Sequence, residues 1–284
     1  MKLYQQSAIK EIREKYGFKF SKSLGQNFLT DKNIIDKIID GTEINPEDTV
    51  IEIGPGIGVI TAEAAQKAGK VIAVEVDKTL IPILKETLSD FDNIKIINDD
   101  ILNLDLNKLL EDEACGRVKI IGNLPYYITT PIIMKLLEEE VKAESITVMM
   151  QKEVADRIKA GPGSKTYGAI SAAVQYYCSV EKIADVPRTV FVPQPNVDSV
   201  VLKLKLREEK AVEVKDKKLF FECIKAGFGQ RRKTLLNSLQ TVGGTSKDII
   251  AAGLKAAGID ERRRAETLTL EEFGKISNEV YKRL

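Results

Sequence analysis

The 284-residue chain contains no histidine and no tryptophan. Without His, the Ser-His-Asp and Cys-His nucleophile systems, His-ligated zinc and a His general base are excluded. Cysteine is scarce. Cys115, Cys178 and Cys223 lie far apart, offer no CxxC ligand pair and no disulfide framework, and fit a reducing, cytoplasmic setting. No metal is expected. Residues 1–28 carry scattered Lys, Arg and Glu around no apolar core segment, so a signal peptide is not expected. No apolar run approaches the roughly twenty residues of a membrane span, so no transmembrane helix is expected. What is present is 43% apolar and 30% charged, the composition of a soluble globular chain with an ample core. Its length suits one large domain or two smaller ones.

A net charge of +1 argues against a nucleic-acid partner when taken alone. Its distribution is uneven. Residues 1–32 hold seven basic and three acidic side chains, residues 33–206 hold 19 and 27, and residues 207–284 hold 17 and 12. An acidic middle therefore lies between two basic ends, and local field decides partners more than the total does. Solvated helix faces would give a similar count, and charge alone does not separate the two.

From 49 to 151, short β-branched runs alternate with amphipathic stretches. Strands are expected at 49–53, 71–76, 94–97, 118–121 and 145–150, with helices at 58–68, 78–89, 105–112, 131–140 and 151–160. Continuous apolar strands separated by helices imply a parallel sheet covered on both faces, and right-handed crossovers make it doubly wound. Upstream, Asp31 or Thr30 can cap a helix carrying Ile34, Ile35, Ile38 and Ile39 on one face and ending at Gly41. Downstream come a helix at 167–178, a loop with Pro187, Pro193 and Pro195, and an alternating strand at 198–206 that reads as an antiparallel edge, with Lys203 and Lys205 on its outer side. After 207 the pattern is helical only, at 215–226, 231–240, 246–257 and 269–283. The expected fold is α/β with a small C-terminal all-α domain: 1–206, including an N-terminal helical and basic extension over 1–32, and 207–284.

Three polar signals fall at the carboxyl ends of three successive strands. Glu52-Ile53-Gly54-Pro55-Gly56-Ile57-Gly58 lets the backbone turn tightly at Gly54 and Gly56 and approach a ligand. Its spacing is GxGxG, not the GxGxxG of pyrophosphate sites. Glu75 ends the second strand, where a carboxylate can accept both hydroxyls of a ribose. Asp99-Asp100 ends the third, where a carboxylate can accept from an adenine amino group. All three point into one crevice, and together they favour a nucleoside cofactor without pyrophosphate, S-adenosylmethionine. Asn123-Leu124-Pro125-Tyr126 follows the fourth strand directly. The Asn carbonyl, a backbone carbonyl at Leu124 or Pro125 and a flat aromatic face suit an exocyclic amino group whose ring is stacked. An ordinary strand-to-helix loop has a similar composition.

Those two motifs, with Leu24-Gly25-Gln26-Asn27-Phe28-Leu29, resemble the ribosomal RNA adenine N6-dimethyltransferases, a family with a Rossmann-like class I methyltransferase fold. Val190–Ser199 resembles the family's Phe-x-Pro loop, and Phe228–Leu236 the Arg-Arg-Lys helix of its small-subunit branch. The likeness runs from about residue 18 to 240. It implies that Asn27 and Leu29 close over S-adenosylmethionine. Gly54 would meet the amino-acid part, Glu75 the ribose and Asp100 the adenine. Asn123 would sit where cofactor meets target, and Tyr126 and Phe191 would sandwich a flipped adenine. Arg231, Arg232 and Lys233 would contact RNA phosphates from a helix, helped by Lys19, Lys22 and Arg262–Arg264. The implied reaction is transfer of methyl groups to N6 of adenosines in small-subunit rRNA, two adjacent ones near the 3' end, by a monomer acting on a pre-30S particle in ribosome biogenesis. Three other readings stand beside it: a large-subunit rRNA methyltransferase that confers antibiotic resistance, a nicotinamide-dependent oxidoreductase, and a non-catalytic ribosome-assembly factor. Lacking His, the transfer is expected to show no essential enzyme pKa between about 6 and 7.5.

Overall fold

The computed structural model describes residues 2–21 and 24–284. The chain divides into two compact units, Met1–Ala155 with Val180–Leu206, and Asp156–Ser179 with Arg207–Leu284. The break at 206 falls where the sequence changes periodicity. Segment 156–179 goes to the second unit, although it precedes the break, because its aromatic residues pack on the helices that follow 207.

In the first unit α1 (Gln6–Tyr16), β1 (Phe28–Leu29) and α2 (Lys32–Thr42) precede β2 (Thr49–Ile53), α3 (Val59–Ala65), β3 (Lys70–Glu75), α4 (Ile81–Thr87), β4 (Ile94–Asn98), α5 (Leu106–Glu113), β5 (Val118–Asn123), α6 (Thr129–Glu138) and β6 (Ser145–Gln151). After α7 (Lys152–Lys159), which runs past the boundary at 155, and α8 (Ala169–Tyr177), which belongs to the second unit, the chain returns to the first with β7 (Cys178–Val186), β8 (Phe191–Val192) and β9 (Ser199–Leu206). The seven-stranded sheet has the order β4-β3-β2-β5-β6-β9-β7. Strands β2 to β6 pair in parallel, and β9 runs antiparallel to β6. Strand order reverses between β2 and β5, which opens a crevice above their carboxyl ends. Both central strands are buried along nearly their whole length, as continuous apolar runs require.

Three sequence expectations are corrected in this unit. Strand β9 is not an edge, because β7 lies beyond it. The sequence reading gave β7 no strand, because Glu181, Lys182 and Asp185 break its apolar pattern, as the exposed side of an edge strand allows. Lys203 is not on a solvated side either. It is 4% exposed and pairs with Glu43 at 2.8 Å. Gly41 lies inside α2, which ends at Glu43 in a left-handed conformation (φ 57°). Asp31 is the cap, accepting the Ile34 N–H at 3.1 Å.

The second unit carries α9 (Lys217–Gly229), α10 (Leu235–Ser238), α11 (Lys247–Ala256) and α12 (Leu270–Tyr281). Its core is aromatic. Tyr176 of α8 meets Phe220 of α9 at 5.0 Å between ring centroids, and Phe228 meets Phe273 of α12 at 5.8 Å. Thr269 and Glu272 form a capping box on α12.

A further correction concerns the basic triplet. The expected helix over 231–240 shrinks to α10. Arg231, Arg232 and Lys233 lie in the turn before it, because α9 runs out through Gly229 and Thr234 occupies the N-cap of α10.

Candidate active site

An open cleft with about 940 Å³ of empty space lies over the carboxyl ends of β2, β3, β4 and β5. Asn27, Leu29, Gly54, Gly56, Glu75, Asp100, Asn123 and Pro125 all line it. So do Glu52 and Asp99, while no Lys or Arg among the described residues does. A pyrophosphate would need positive charge or a row of free backbone N–H groups here, and the acidic lining, Asp99 and Asp100 foremost, would repel it.

The glycine turn works in two different ways. Gly54 has φ +69°, and a Cβ built on it meets nothing within 4 Å, so its backbone borders open cleft. At Gly56 (φ +62°) a Cβ would stand 2.8 Å from the Phe28 ring, so only glycine lets the segment before β1 lie across the turn.

Glu75 is 5% exposed. It accepts the Asp77 N–H at 2.8 Å on Oε1 and the Gly56 N–H at 3.2 Å on Oε2. Burial outweighs those hydrogen bonds and pushes its pKa up to about 7. Glu52, the one charge in β2, is 1% exposed, and burial pushes it up to about 8. Its Oε2 makes no well-formed hydrogen bond among the described residues, and the nearby Thr61 hydroxyl offsets that burial only in part. Absence of His thus removes one source of near-neutral titration, and desolvation of carboxylates supplies another. Asp100 is half-buried and caps its own turn, accepting the Leu102 N–H at 2.9 Å.

At the end of β5, the Asn123 side-chain amide donates to the Asn27 carbonyl at 2.8 Å. That bond can only use the NH2 end, so Asn123 Oδ1 is left as an acceptor. The sequence left Leu124 and Pro125 as alternative carbonyl acceptors. Pro125's carbonyl already accepts from the Ile128 N–H at 3.1 Å and the Thr129 hydroxyl at 3.0 Å, whereas Leu124's accepts no hydrogen bond among the described residues. Tyr126 is half-buried, and its hydroxyl meets Ser199 Oγ at 2.8 Å, which braces the ring from the Phe-x-Pro loop. Burial raises its pKa.

Phe191 does not line the cleft. It is 3% exposed within the core, and β8 pairs antiparallel with β1, setting Leu29 opposite Phe191. Tyr127, which the sequence reading passed over, is 59% exposed and does line it. Nothing in its spacing marks it, whereas Glu52, also not named as a site residue from the sequence, carries a signal that could have found it: a lone charge in an apolar strand.

In the second unit, Arg231 is tied down. Its guanidinium donates to the Lys165 carbonyl at 2.8 Å and to Glu266 at 3.2 Å. Arg232, Lys233 and Arg264 are exposed, and their side chains make no hydrogen bond or ion pair among the described residues. Arg262 pairs with Asp260, and Arg263 with Glu272. Lys19, in the first unit, is exposed, and Lys22 lies outside the described residues. Among the described residues no group of three or more His, Cys, Asp or Glu could hold a metal ion, and no helix is long and apolar enough to cross a membrane.

A doubly wound sheet with an acidic, glycine-floored cleft at its switch point, and an antiparallel strand beside the last parallel one, defines a Rossmann-like class I methyltransferase fold. Two solved structures share it. One is a dimethyladenosine transferase from Plasmodium falciparum, with 25% identity and a TM-score of 0.75, covering 88% of this chain and 95% of that one. The other is the 23S rRNA methyltransferase ErmE, with 25% identity and a TM-score of 0.69, covering 89% and 99%. The model of the family described as ribosomal RNA adenine dimethylase matches residues 17–282. The chain is 56% identical over 278 residues to the ribosomal RNA small subunit methyltransferase A of Clostridioides difficile, covering 98% of this chain and 96% of that protein. It is 54% identical to the Bacillus pumilus protein of the same name, covering 97% and 96%. The chain belongs to the ribosomal RNA adenine dimethylase family and is a methyltransferase.

Proposed function

We propose that this chain transfers methyl groups from S-adenosylmethionine to N6 of adenosines in small-subunit rRNA, giving N6,N6-dimethyladenosine at two adjacent adenosines near the 3' end. It would act as a monomer on a pre-30S particle during ribosome biogenesis. The observation that carries the reading is a cleft lined by four acidic residues and, among the described residues, no Lys or Arg, which ends at Asn123. S-adenosylmethionine bears an ammonium and a sulfonium, and such a lining fits that charge where it would reject a dinucleotide.

Within this reading Glu75 accepts from the ribose, Asp100 from the adenine amino group, and Gly54 and Gly56 leave room for the amino-acid part. Asn27 and Leu29 cover the cofactor. The poorly satisfied Oε2 of Glu52 fits a donor-rich cationic head, since a buried oxygen short of hydrogen bonds gains most from a new donor. When bound, the cofactor supplies an electrophilic methyl group. Asn123 Oδ1 and the Leu124 carbonyl accept the hydrogens of the target amine, draw N6 toward tetrahedral geometry and stabilise the positive charge that develops there. Pro125 fixes the turn that aims the carbonyl. Tyr126 offers one stacking face to the flipped base. Phe191 offers the other only when its ring, buried here, is uncovered. No strong base is required, because the cationic amine loses its proton readily. Holding two reactants in line in near-attack geometry can lower a barrier by roughly 7–11 kcal/mol.

Arg232 and Lys233 contact phosphate, with Arg264 and Lys19 adding to the field, while Arg231 braces the turn that carries them. The high identity to small-subunit enzymes, against 25% to the 23S enzyme, supports the small-subunit substrate over its large-subunit alternative. Labelled methyl transfer to unmethylated small subunits, followed by nucleoside analysis, tests the reading. Dimethyladenosine is expected. Transfer confined to large-subunit RNA, or to no ribosomal particle, overturns it.

A further inference from the structure

Residues 24–29 form a strap across the cleft with three polar or steric anchors. Gly25 has φ +60°, and a Cβ there would stand 3.3 Å from the Pro125 Cβ and 3.6 Å from the Tyr127 ring, so the strap lies against the Asn-Leu-Pro-Tyr loop. The Gln26 side-chain amide donates to Asp77 Oδ2 at 2.7 Å, while its Oε1 accepts the Ser21 N–H at 2.8 Å. The Asn27 carbonyl takes the Asn123 amide at 2.8 Å. Asp77 belongs to the opposite wall, where its own N–H donates to Glu75. Its other oxygen, Oδ1, is occupied by the N–H and hydroxyl of Thr79. The strap thus spans from the strand end that carries Glu75 to the strand end that carries Asn123, and Gln26 is its only side-chain bond to the far wall among the described residues.

We propose that Gln26 is a positioning residue for methyl transfer. Its bond to Asp77 holds the strap in register, so that the Asn27 carbonyl occupies the NH2 end of Asn123 and leaves Oδ1 turned to the target amine. Without that carbonyl, Asn123 is free to rotate its amide and present NH2, a donor, where an acceptor is needed. The inference rests on the reading of Asn123 as the acceptor for N6.

The chemistry at Gln26 allows a charge exchange. In Gln26→Glu two carboxylates face each other at hydrogen-bond distance. They repel when both are ionised and rejoin when they share a proton. In Gln26→Glu combined with Asp77→Asn, the position-77 amide donates to the position-26 carboxylate. The other oxygen of that carboxylate still accepts the Ser21 N–H, and Oδ1 at position 77 still serves Thr79. Both native bonds return with the charge on the other partner.

The test measures kcat on unmethylated small subunits at saturating cofactor and RNA, at pH 6 and pH 8.5, each value divided by wild type at the same pH. Saturation removes the effect of Glu75 ionisation on cofactor affinity. Gln26→Glu is expected to lose at least tenfold in kcat at pH 8.5 and to recover to within about threefold of wild type at pH 6. The exchange variant is expected to lie within about threefold at both. A strap that merely retains cofactor would raise KM for S-adenosylmethionine and leave kcat unchanged, which overturns the proposal. So does an exchange variant that melts like wild type yet stays as slow as Gln26→Glu. Should the carboxylate at 26 impair folding, Gln26→Met, similar in volume and unable to bond Asp77, is expected to lose kcat equally at both pH values; wild-type kcat there overturns the proposal. If wild type itself transfers no methyl group, it is the functional reading that fails.

Discussion

The two units carry their charge in opposite physical states. In the first, the carboxylates of the cleft are buried or hydrogen-bonded, and two of them, Glu75 and Glu52, are pushed up to about 7 and about 8 by desolvation. In the second, Arg232 and Lys233 stand in solvent at a turn, without side-chain partners among the described residues. A buried acid acts over a hydrogen-bond length and is set by its exact surroundings. An exposed cation acts through its field, tolerates displacement and is screened by salt. The first arrangement suits recognition of one small molecule at fixed geometry. The second suits a polymer whose phosphates can slide into place.

The largest effect that sharpens this contrast belongs to Asn123. Asn123→Ala removes the oriented acceptor and is expected to slow methyl transfer by about 10²–10³-fold while RNA affinity in filter binding stays at wild type. Near wild-type transfer would remove Asn123 from the chemistry. Next comes Arg232→Ala with Lys233→Ala, which is expected to weaken RNA binding on the order of tenfold at physiological salt. The slope of log K against log salt should flatten by about 1 to 2, with cofactor affinity by calorimetry unchanged. An unchanged slope would show that these cations meet no phosphate.

The third expectation uses pH. Cofactor binding needs ionised Glu75, whose pKa lies near 7, so affinity should fall as pH drops and be weaker by about tenfold at pH 6 than at its alkaline plateau. Glu75→Gln should bind weakly and almost independently of pH; a wild type equally flat from pH 6 to 8 would show that Glu75 does not hold the ribose as a carboxylate. The smallest effect is on stability. Glu52 binds its proton more tightly folded than unfolded, so its contribution is fully present below about pH 4.5 and is lost as pH rises toward 8. Glu52→Gln should accordingly stabilise the fold at pH 8.5 by at least about 1 kcal/mol, read as a higher melting temperature, and have little effect at pH 5. A pH-independent difference would mean that the carboxyl is not buried as it stands here.

Much of the sheet was legible in advance. The runs at 49–53, 94–97, 118–121 and 145–150 fall on strands because short runs rich in β-branched residues, bounded by polar or turn residues, have few other ways to bury themselves. The turn at Gly54–Gly58 and the position of Glu75 followed from the same local logic. β7 was missed because an edge strand that alternates with charges looks like a loop to a hydropathy pattern. The basic triplet was misread as helical because Arg, Arg and Lys are good helix formers, and the cap at Thr234 outweighs their propensity. In the cleft, Asn27, Asn123 and the two acidic strand ends were named from sequence. Their hydrogen-bond states were not, and neither was Tyr127.

By itself the sequence determined the alternation of strands and helices, the glycine turn, the family and the change of periodicity after 206. Each depends on spacings of two to seven residues, which the backbone imposes locally. Tertiary structure alone decided which end of Asn123 faces the target, which carbonyl stands free beside it, where Tyr126 is braced and at what pH Glu75 ionises. The bonds that settle the first and third join residues 96 and 73 positions apart, and the desolvation of Glu75 comes from strands and turns that no local window contains. Polar groups at a site take their state from whatever packs around them, and packing brings together what spacing in the chain keeps apart.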